Sequence, residues 1–229
     1  MTEYRALVIG ATGAVGSALV GELLASPRCA AVTILTRRST GMFAGVPGAA
    51  KLTQRVVDMD RVDLQAREPA AGCGAAFCTM GIGRPRKVPR EEFWKVDVEY
   101  AGAVARACRE AGVRHMSLLG ALGANPRSAN HYLRVKGTVE ERYRSLGFAR
   151  LSLFRPSVLV TEKLRYGFQD WLTQRLFPLA SRVLPSRFHQ IRVGDLARAM
   201  RLNAERDGAG AEVLYYDDYL ALLRSAERF

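Results

Sequence analysis

Tyr4 to Gly10 reads YRALVIG, an apolar run of strand character. It passes without a break into Ala11-Thr12-Gly13-Ala14-Val15-Gly16 and then into the helix-forming SALVGELL. Strand, glycine turn and helix start in immediate succession leave few folds open. The glycines stand at Gly10, Gly13 and Gly16, a G-x-x-G-x-x-G spacing. Such a turn must be tight, must let backbone approach a ligand, and must let the helix pack close to the strand. A residue without Cβ serves all three needs. The helix then offers unpaired N–H groups and the positive end of its dipole to an anion. The segment predicts a pyrophosphate cradle built from Gly10, Thr12, Gly13, Ala14, Val15 and Gly16. Glycine spacing alone carries little; its place between strand and helix carries the argument.

The rest of the chain alternates in the same way. Strands are predicted at 31–36, 52–57, 75–79, 113–119, 151–154 and 213–215. Helices are predicted from the glycine turn to about Ser26, over 91–111 and 131–146, around 168–180, over 194–205 and at the C-terminal end. Pro27, Gly112 and Gly147 mark helix ends. Repeated β-α-β order predicts an α/β fold: a doubly wound parallel sheet, the Rossmann arrangement, with right-handed crossovers and helices on both faces. No repeat and no linker divides the chain, so 1–229 reads as a single domain.

Composition bounds the function classes. Hydrophobic residues make up 48% of the 229, enough for a sizeable core. No apolar run approaches the roughly 20 residues of a membrane span. The N-terminus has neither a basic n-region nor a cleavage site, so no signal peptide is expected. Cys29, Cys73, Cys78 and Cys108 form no C-x-x-C pair and have only three histidines to join them. No metal site or disulfide framework is expected, and a reducing cytoplasm fits best. The net charge is +12, and only five of the 34 basic residues are lysines. The arginines are scattered and form no continuous basic face. A preference for anionic small molecules is expected, and no nucleic-acid partner.

A second constellation is Tyr132-Leu-Arg-Val-Lys136. Residues four apart share a helix face. A phenol beside an ammonium has its pKa lowered and can exchange a proton near neutral pH. The same lysine can hold a cofactor ribose.

With GATGAVG, FCTMG at 77–81, FWKVDVEY at 93–100, HYLRVKGTVE at 131–140 and FRPSVL at 154–159, the chain resembles the short-chain dehydrogenases/reductases. It is most similar to their atypical, extended-like branch, the oxidoreductase family that includes the human Tat-interacting protein of 30 kDa. The resemblance implies an NAD(P)-binding Rossmann domain with a small C-terminal substrate-side region, here 160–192. It implies Tyr132 as catalytic acid/base and Lys136 as its ribose-binding partner. Asp58 falls where the family approaches adenine, Thr79, Met80 and Gly81 beneath the cofactor, and Pro156, Ser157 and Val158 beside the nicotinamide. Arg37 and Arg38 follow the second strand, where the adenosine ribose is read. A carboxylate there would bond a free 2′-hydroxyl, whereas guanidiniums suit a 2′-phosphate, so NADP(H) is the expected cofactor.

One departure bears on the chemistry. At the end of the fifth strand the family places Ser or Thr to orient the substrate carbonyl. This chain has Gly120 and Ala121 there. Ser117 lies upstream within the strand and is expected to point elsewhere; Ser128 or Asn130 could substitute. Asp97, inside a predicted helix, is expected simply to face solvent and receives no role. Phe93 and Trp94 read as core or pocket wall, Asp195 as an N-cap or first-turn charge, and His115 and His189 as structural. Tyr166, Phe168, Trp171 and Phe177 could line a substrate cleft or pack a lid. The expected activity is that of an NADP(H)-dependent carbonyl/alcohol oxidoreductase. The alternative is a non-catalytic NADP(H) sensor or regulatory binding protein. Substrate, reaction direction and oligomeric state are not legible.

Overall fold

Successive side chains of a strand point to opposite faces of its sheet, and the first strand is apolar on both. Leu7 and Ile9 enter one core, Ala6 and Val8 the other. Such a strand must lie inside a sheet covered on both sides, and it does. A computed structural model describes residues 3–161 and 185–227. Its strands are β1 (Tyr4–Ile9), β2 (Cys29–Thr36), β3 (Leu52–Val56), β4 (Ala75–Cys78), β5 (His115–Leu119), β6 (Arg150–Phe154), β7 (Leu159–Val160), β8 (Ile191–Arg192) and β9 (Gly210–Leu214). Seven of them form a parallel sheet in the order β3-β2-β1-β4-β5-β6-β9. β7 and β8 make a separate parallel pair.

The helices are α1 (Ala14–Ala25), α2 (Val62–Gln65), α3 (Arg67–Ala70), α4 (Arg90–Trp94), α5 (Ala101–Glu110), α6 (His131–Ser145), α7 (Val193–Glu205) and α8 (Tyr216–Ala226). Val104, Ala105 and Cys108 of α5 and Val135 and Val139 of α6 fill the core on one face. Leu19, Leu23, Leu196 and Met200 of α1 and α7, with Tyr219 of α8, fill the other. No helix among the described residues is long and apolar enough to cross a membrane.

The α/β doubly wound expectation holds, with local differences. β9 begins at Gly210 rather than Val213: its first residues, Gly-Ala-Glu, carry no strand pattern and are recruited by pairing with β6. Between β3 and β4 lie a 3₁₀ turn and the short α2 and α3, where no element was expected. The expected helix over 91–111 is interrupted at Lys95–Tyr100 by a π segment. The expected helix around 168–180 and the aromatic residues Tyr166, Phe168, Trp171 and Phe177 lie outside the described residues. Asp195 stands in the first turn of α7, whose N-cap is Arg192.

Candidate active site

β1 and β4 are neighbours in the sheet, and their connections run to opposite sides of it. The crevice opened at the carboxyl ends of such strands is where an open α/β sheet binds ligands. Gly10 closes β1 with φ +86, and a Cβ on it would lie 2.5 Å from the Thr79 carbonyl carbon. A Cβ on Gly16 would lie 2.6 Å from Thr79 Oγ1. Both glycines are therefore demanded by the fold. Gly13 is different: its φ is −73, and a Cβ there would meet only Gly10 O, at 3.3 Å. A Cβ there would be tight against that one oxygen but not excluded, so the fold asks less of Gly13 than of Gly10 and Gly16, and its bare backbone is open to a ligand. This fits a dinucleotide's pyrophosphate at the N-terminus of α1. Thr79 ties β4 to the turn, its N and Oγ1 donating to Ile9 O at 2.9 and 3.1 Å.

Two hollows meet at Thr79, Met80 and Gly81, which line both. The smaller, about 240 Å³, runs from the glycine turn past Thr12 and Gly13 to Arg37, Met59 and Tyr100. Arg37 is on its wall; Arg38, exposed beside it, is not. Asp58 is also off this wall, because its Oδ1 caps the following turn by accepting from Asp60 N at 3.0 Å. Ala14, Val15 and Gly16 lie beneath the turn, in α1.

The larger hollow, about 820 Å³, is walled by Phe93, Asn130, His131, Tyr132, Lys136 and Pro156 among others. Tyr132 and Lys136 stand one turn apart on α6, whose first turn is capped by Asn130 Oδ1 accepting from Leu133 N at 3.3 Å. The Tyr132 ring stacks on Phe93 with centroids 6.0 Å apart and planes 3° from parallel. Lys136 Nζ lies 6.0 Å from the Tyr132 ring centroid. The same ammonium donates to Asp97 Oδ1 at 2.7 Å, and Asp97 Oδ2 accepts from Ile82 N at 2.9 Å. Burial works to lower the Lys136 pKa, and the Asp97 carboxylate more than offsets it, so the amine is held above the ordinary lysine value and stays charged. Gly81 belongs to this pair: a Cβ on it would stand 2.9 Å from Asp97 Oδ1 and 3.1 Å from Lys136 Nζ.

Asp97 thus corrects the expectation of a solvent-facing carboxylate; it is 2% exposed. Phe93, Asp97 and Ala101 are spaced by four, and that common face is the buried one. This spacing was the available signal. His131 was also passed over. Arg134 Nη2 lies 3.3 Å from His131 Nδ1. A guanidinium only donates, so Nδ1 accepts and Nε2 carries the ring proton. That Nε2 is buried without a partner among the described residues.

Gly120 has a packing reason. Its N donates to Phe154 O at 2.8 Å, and a Cβ on it would lie 2.6 Å from Glu140 Oε1. Glu140 is buried and accepts from Arg155 Nε at 3.0 and 3.1 Å. An ion pair thus fills the space a serine would need at 120. Ala121, in contrast, lies on the cavity wall. Ser117 points away, into a buried contact with His115 Nε2 at 3.5 Å. Ser128 is not on the wall; its Oγ accepts from Asn130 N at 3.2 Å. Of the two possible substitutes, only Asn130 reaches the cavity. Pro156 and Ser157 line it and Val158 does not; Ser157 Oγ donates to His189 O at 2.7 Å, and Val158 O accepts from Ile191 N at 3.0 Å.

A family model described as NAD(P)H-binding matches residues 10–161. Over 214 residues the chain is 32% identical to Protein HTATIP2 of Rattus norvegicus, covering 92% of this chain and 85% of that one. It is 32% identical over 152 residues to Protein fmp52, mitochondrial, of Aspergillus fumigatus, covering 66% and 65%. Among solved structures, MoeE5 in complex with UDP-glucuronic acid and NAD superposes with a TM-score of 0.71 at 21% identity, over 93% of this chain and 76% of that one. The UDP-N-acetylglucosamine 4-epimerase of Methanobrevibacter ruminantium M1 does so with 0.69 at 15%, over 100% and 84%. At these identities the solved structures share the fold.

Proposed function

Because the chain belongs to the NAD(P)H-binding family, we propose that it is an NADP(H)-dependent oxidoreductase acting on a carbonyl compound or the corresponding alcohol. The observation that carries this reading is the buried Lys136–Asp97 pair beside Tyr132, on the wall of a cavity that meets the glycine-turn cleft. A bound nicotinamide supplies the hydride for the carbonyl carbon or takes it back. Tyr132 gives its phenolic proton to the carbonyl oxygen as the C=O π electrons move onto that oxygen, and recovers the proton in the reverse direction. The Lys136 ammonium stabilises the phenolate left behind. An ammonium has three donors; Asp97 uses one, which leaves two for a ribose hydroxyl and the phenol. The Phe93 ring stacked on Tyr132 fixes the orientation of the phenol.

Arg37 on the cleft wall, with Arg38 next to it, supports NADP(H) over NAD(H), since guanidiniums suit a 2′-phosphate. Calorimetry should give tighter binding of NADPH than of NADH. Arg37→Ala/Arg38→Ala should bring the two together; equal affinities in the wild type would reject the assignment. For the chemistry, the assay is NADPH oxidation against a panel of aldehydes, ketones and quinones. Turnover that survives Tyr132→Phe would place the reacting centre elsewhere.

The ion pair behind Gly120 favours a second reading, a cofactor-sensing protein without turnover. Tight NADPH binding with no turnover across the panel would select it.

A further inference from the structure

The larger cavity carries a charge bias that the Tyr132–Lys136 chemistry does not use. Among the described residues three of its lining side chains are cationic, Arg86, Arg90 and Lys136, and none is a carboxylate. Lys136 is neutralised by Asp97. Arg86 and Arg90 are exposed, and neither enters an ion pair among the described residues. Glu91 and Glu92 follow Arg90 in the chain but stand on no wall of this cavity. The two arginines come from one short loop and the helix start after it. Pro85 opens a 3₁₀ turn over Pro85–Lys87, closed by Lys87 N donating to Arg84 O at 3.0 Å, and Pro89 caps α4. Two prolines fix two φ angles in this stretch and limit how far the arginines can drift. Val88 lies between them on the wall, and Ile82, Phe93 and Leu122 extend the apolar surface.

We propose that the substrate is an anionic carbonyl compound, with an apolar body against Val88 and Phe93 and a carboxylate or phosphate received by Arg86 and Arg90. The proposal rests on the oxidoreductase reading for the carbonyl end alone; the anion site stands on the arginines. Guanidiniums bind carboxylate and phosphate through paired N–H donors, and among the described residues the wall brings no acidic group to offset that charge. The cofactor's own phosphates are assigned elsewhere, to the glycine turn and Arg37 on the other hollow.

The test uses pairs of carbonyl compounds matched apart from the anionic group: 4-carboxybenzaldehyde and its methyl ester, a short aliphatic oxo-acid and its ester, and a phosphorylated hydroxyaldehyde with its unphosphorylated parent. The anionic member of a pair should show a kcat/KM about tenfold higher or more, a preference that shrinks as salt is raised. The carboxylate and phosphate arms tell which anion is preferred. Arg86→Gln/Arg90→Gln should bring each pair close to parity, through KM rather than kcat, with the NADPH Kd within about twofold of wild type. Equal kcat/KM within every pair in the wild type would overturn the proposal. So would a large loss of NADPH affinity in the double variant, which would give the arginines to the cofactor. Should no compound be turned over, calorimetry of the same pairs on the NADPH-loaded protein separates the two readings. Selective binding of the anions, lost in the double variant, upholds the anion site without the chemistry; no selectivity overturns it.

Discussion

The two ends of β5 and β6 hold polar side chains in opposite states. Near their first residues, His115 Nε2 and Ser152 Oγ lie 2.8 Å apart, and Ser152 donates to Glu212 Oε1 at 2.7 Å. Arg150 donates to Glu212 Oε1 at 2.8 Å and to Asn203 Oδ1 at 3.0 Å, and Asn203 donates to Ser152 at 2.8 Å. This cluster uses its own donors and acceptors on one another. Beyond the last residues of the same strands, Tyr132, Arg86 and Arg90 face a cavity, and among the described residues none of the three has a hydrogen-bonding or ion-pair partner. Both regions are rich in polar groups on a parallel sheet. A closed network specifies the core and stabilises it; open valences on a cavity wall are there for something that arrives. Polar content alone does not separate the two, whereas the partner of each atom does.

The sharpest break of that comparison is at Tyr132. Tyr132→Phe removes one open hydroxyl and should lower turnover by about a hundredfold or more while leaving the NADPH Kd within a few-fold. Lys136→Ala should damage both, because it also strands the buried Asp97 carboxylate. Single-turnover rates and calorimetry check the pair.

Next in size is the glycine turn. Gly13→Val should keep the fold, since only Gly10 O stands near its Cβ, yet abolish most of the thermal stabilisation given by added NADPH. Gly16→Val should instead lower the Tm without ligand, because its Cβ meets Thr79. Full NADPH stabilisation of Gly13→Val would show that ligand does not approach there.

The serine positions should separate in the same way. Gly120→Ser should cost stability, about 1–3 kcal/mol by crowding the Glu140–Arg155 pair, without gain in rate. Ala121→Ser puts a hydroxyl on the cavity wall and should raise kcat several-fold if a missing donor to the carbonyl oxygen limits the rate. Denaturation midpoints and kcat, taken on both variants, read the two effects apart.

The smallest effect belongs to the closed network. Burial, with help from Arg150, pushes the His115 pKa down to about 3. The unfolded chain takes a proton at this imidazole near its ordinary value, and the folded chain does not until far lower pH. The stability His115 contributes is therefore present above about pH 6.5 and is lost as pH falls toward 3. Glu212, held to about 2 although burial works to raise it, because Ser152 and the arginines outweigh that, adds its own loss only below the ordinary carboxylate range. Between pH 6.5 and 5 the urea midpoint should fall, and His115→Gln should flatten that slope. An unchanged slope would mean that another group titrates there.

Much of this was legible in the chain. The glycine turn, the alternating elements and the Tyr132–Lys136 pair each depend on local spacing, and local spacing is what a sequence displays. The division of labour among Gly10, Gly13 and Gly16 was not, because it depends on how close Thr79 and Met80, just after β4, approach. Gly120 reads as a lost serine until Glu140, twenty residues on, is seen beside it. Asp97 was readable through its spacing from Phe93 and Ala101, but its partner was not, since contact across 39 residues follows from tertiary packing. Arg86 and Arg90 looked like two among many scattered arginines until the loop placed both on one wall.

The π segment at Lys95–Tyr100 has a consequence for how such a chain can vary in length. A π turn holds one residue more than the α turn it replaces. Deleting one residue there would let a regular α turn close with the flanking faces kept in register, whereas the same deletion in the α-helix on either side would turn one flank by about 100° relative to the other. A change of length inside the segment is absorbed locally, at Asp97 and its neighbours, and leaves Phe93 stacked on Tyr132. The π segment is thus a place where this helix can lose a residue without turning Phe93 from Tyr132, at the cost of where the Asp97 carboxylate stands.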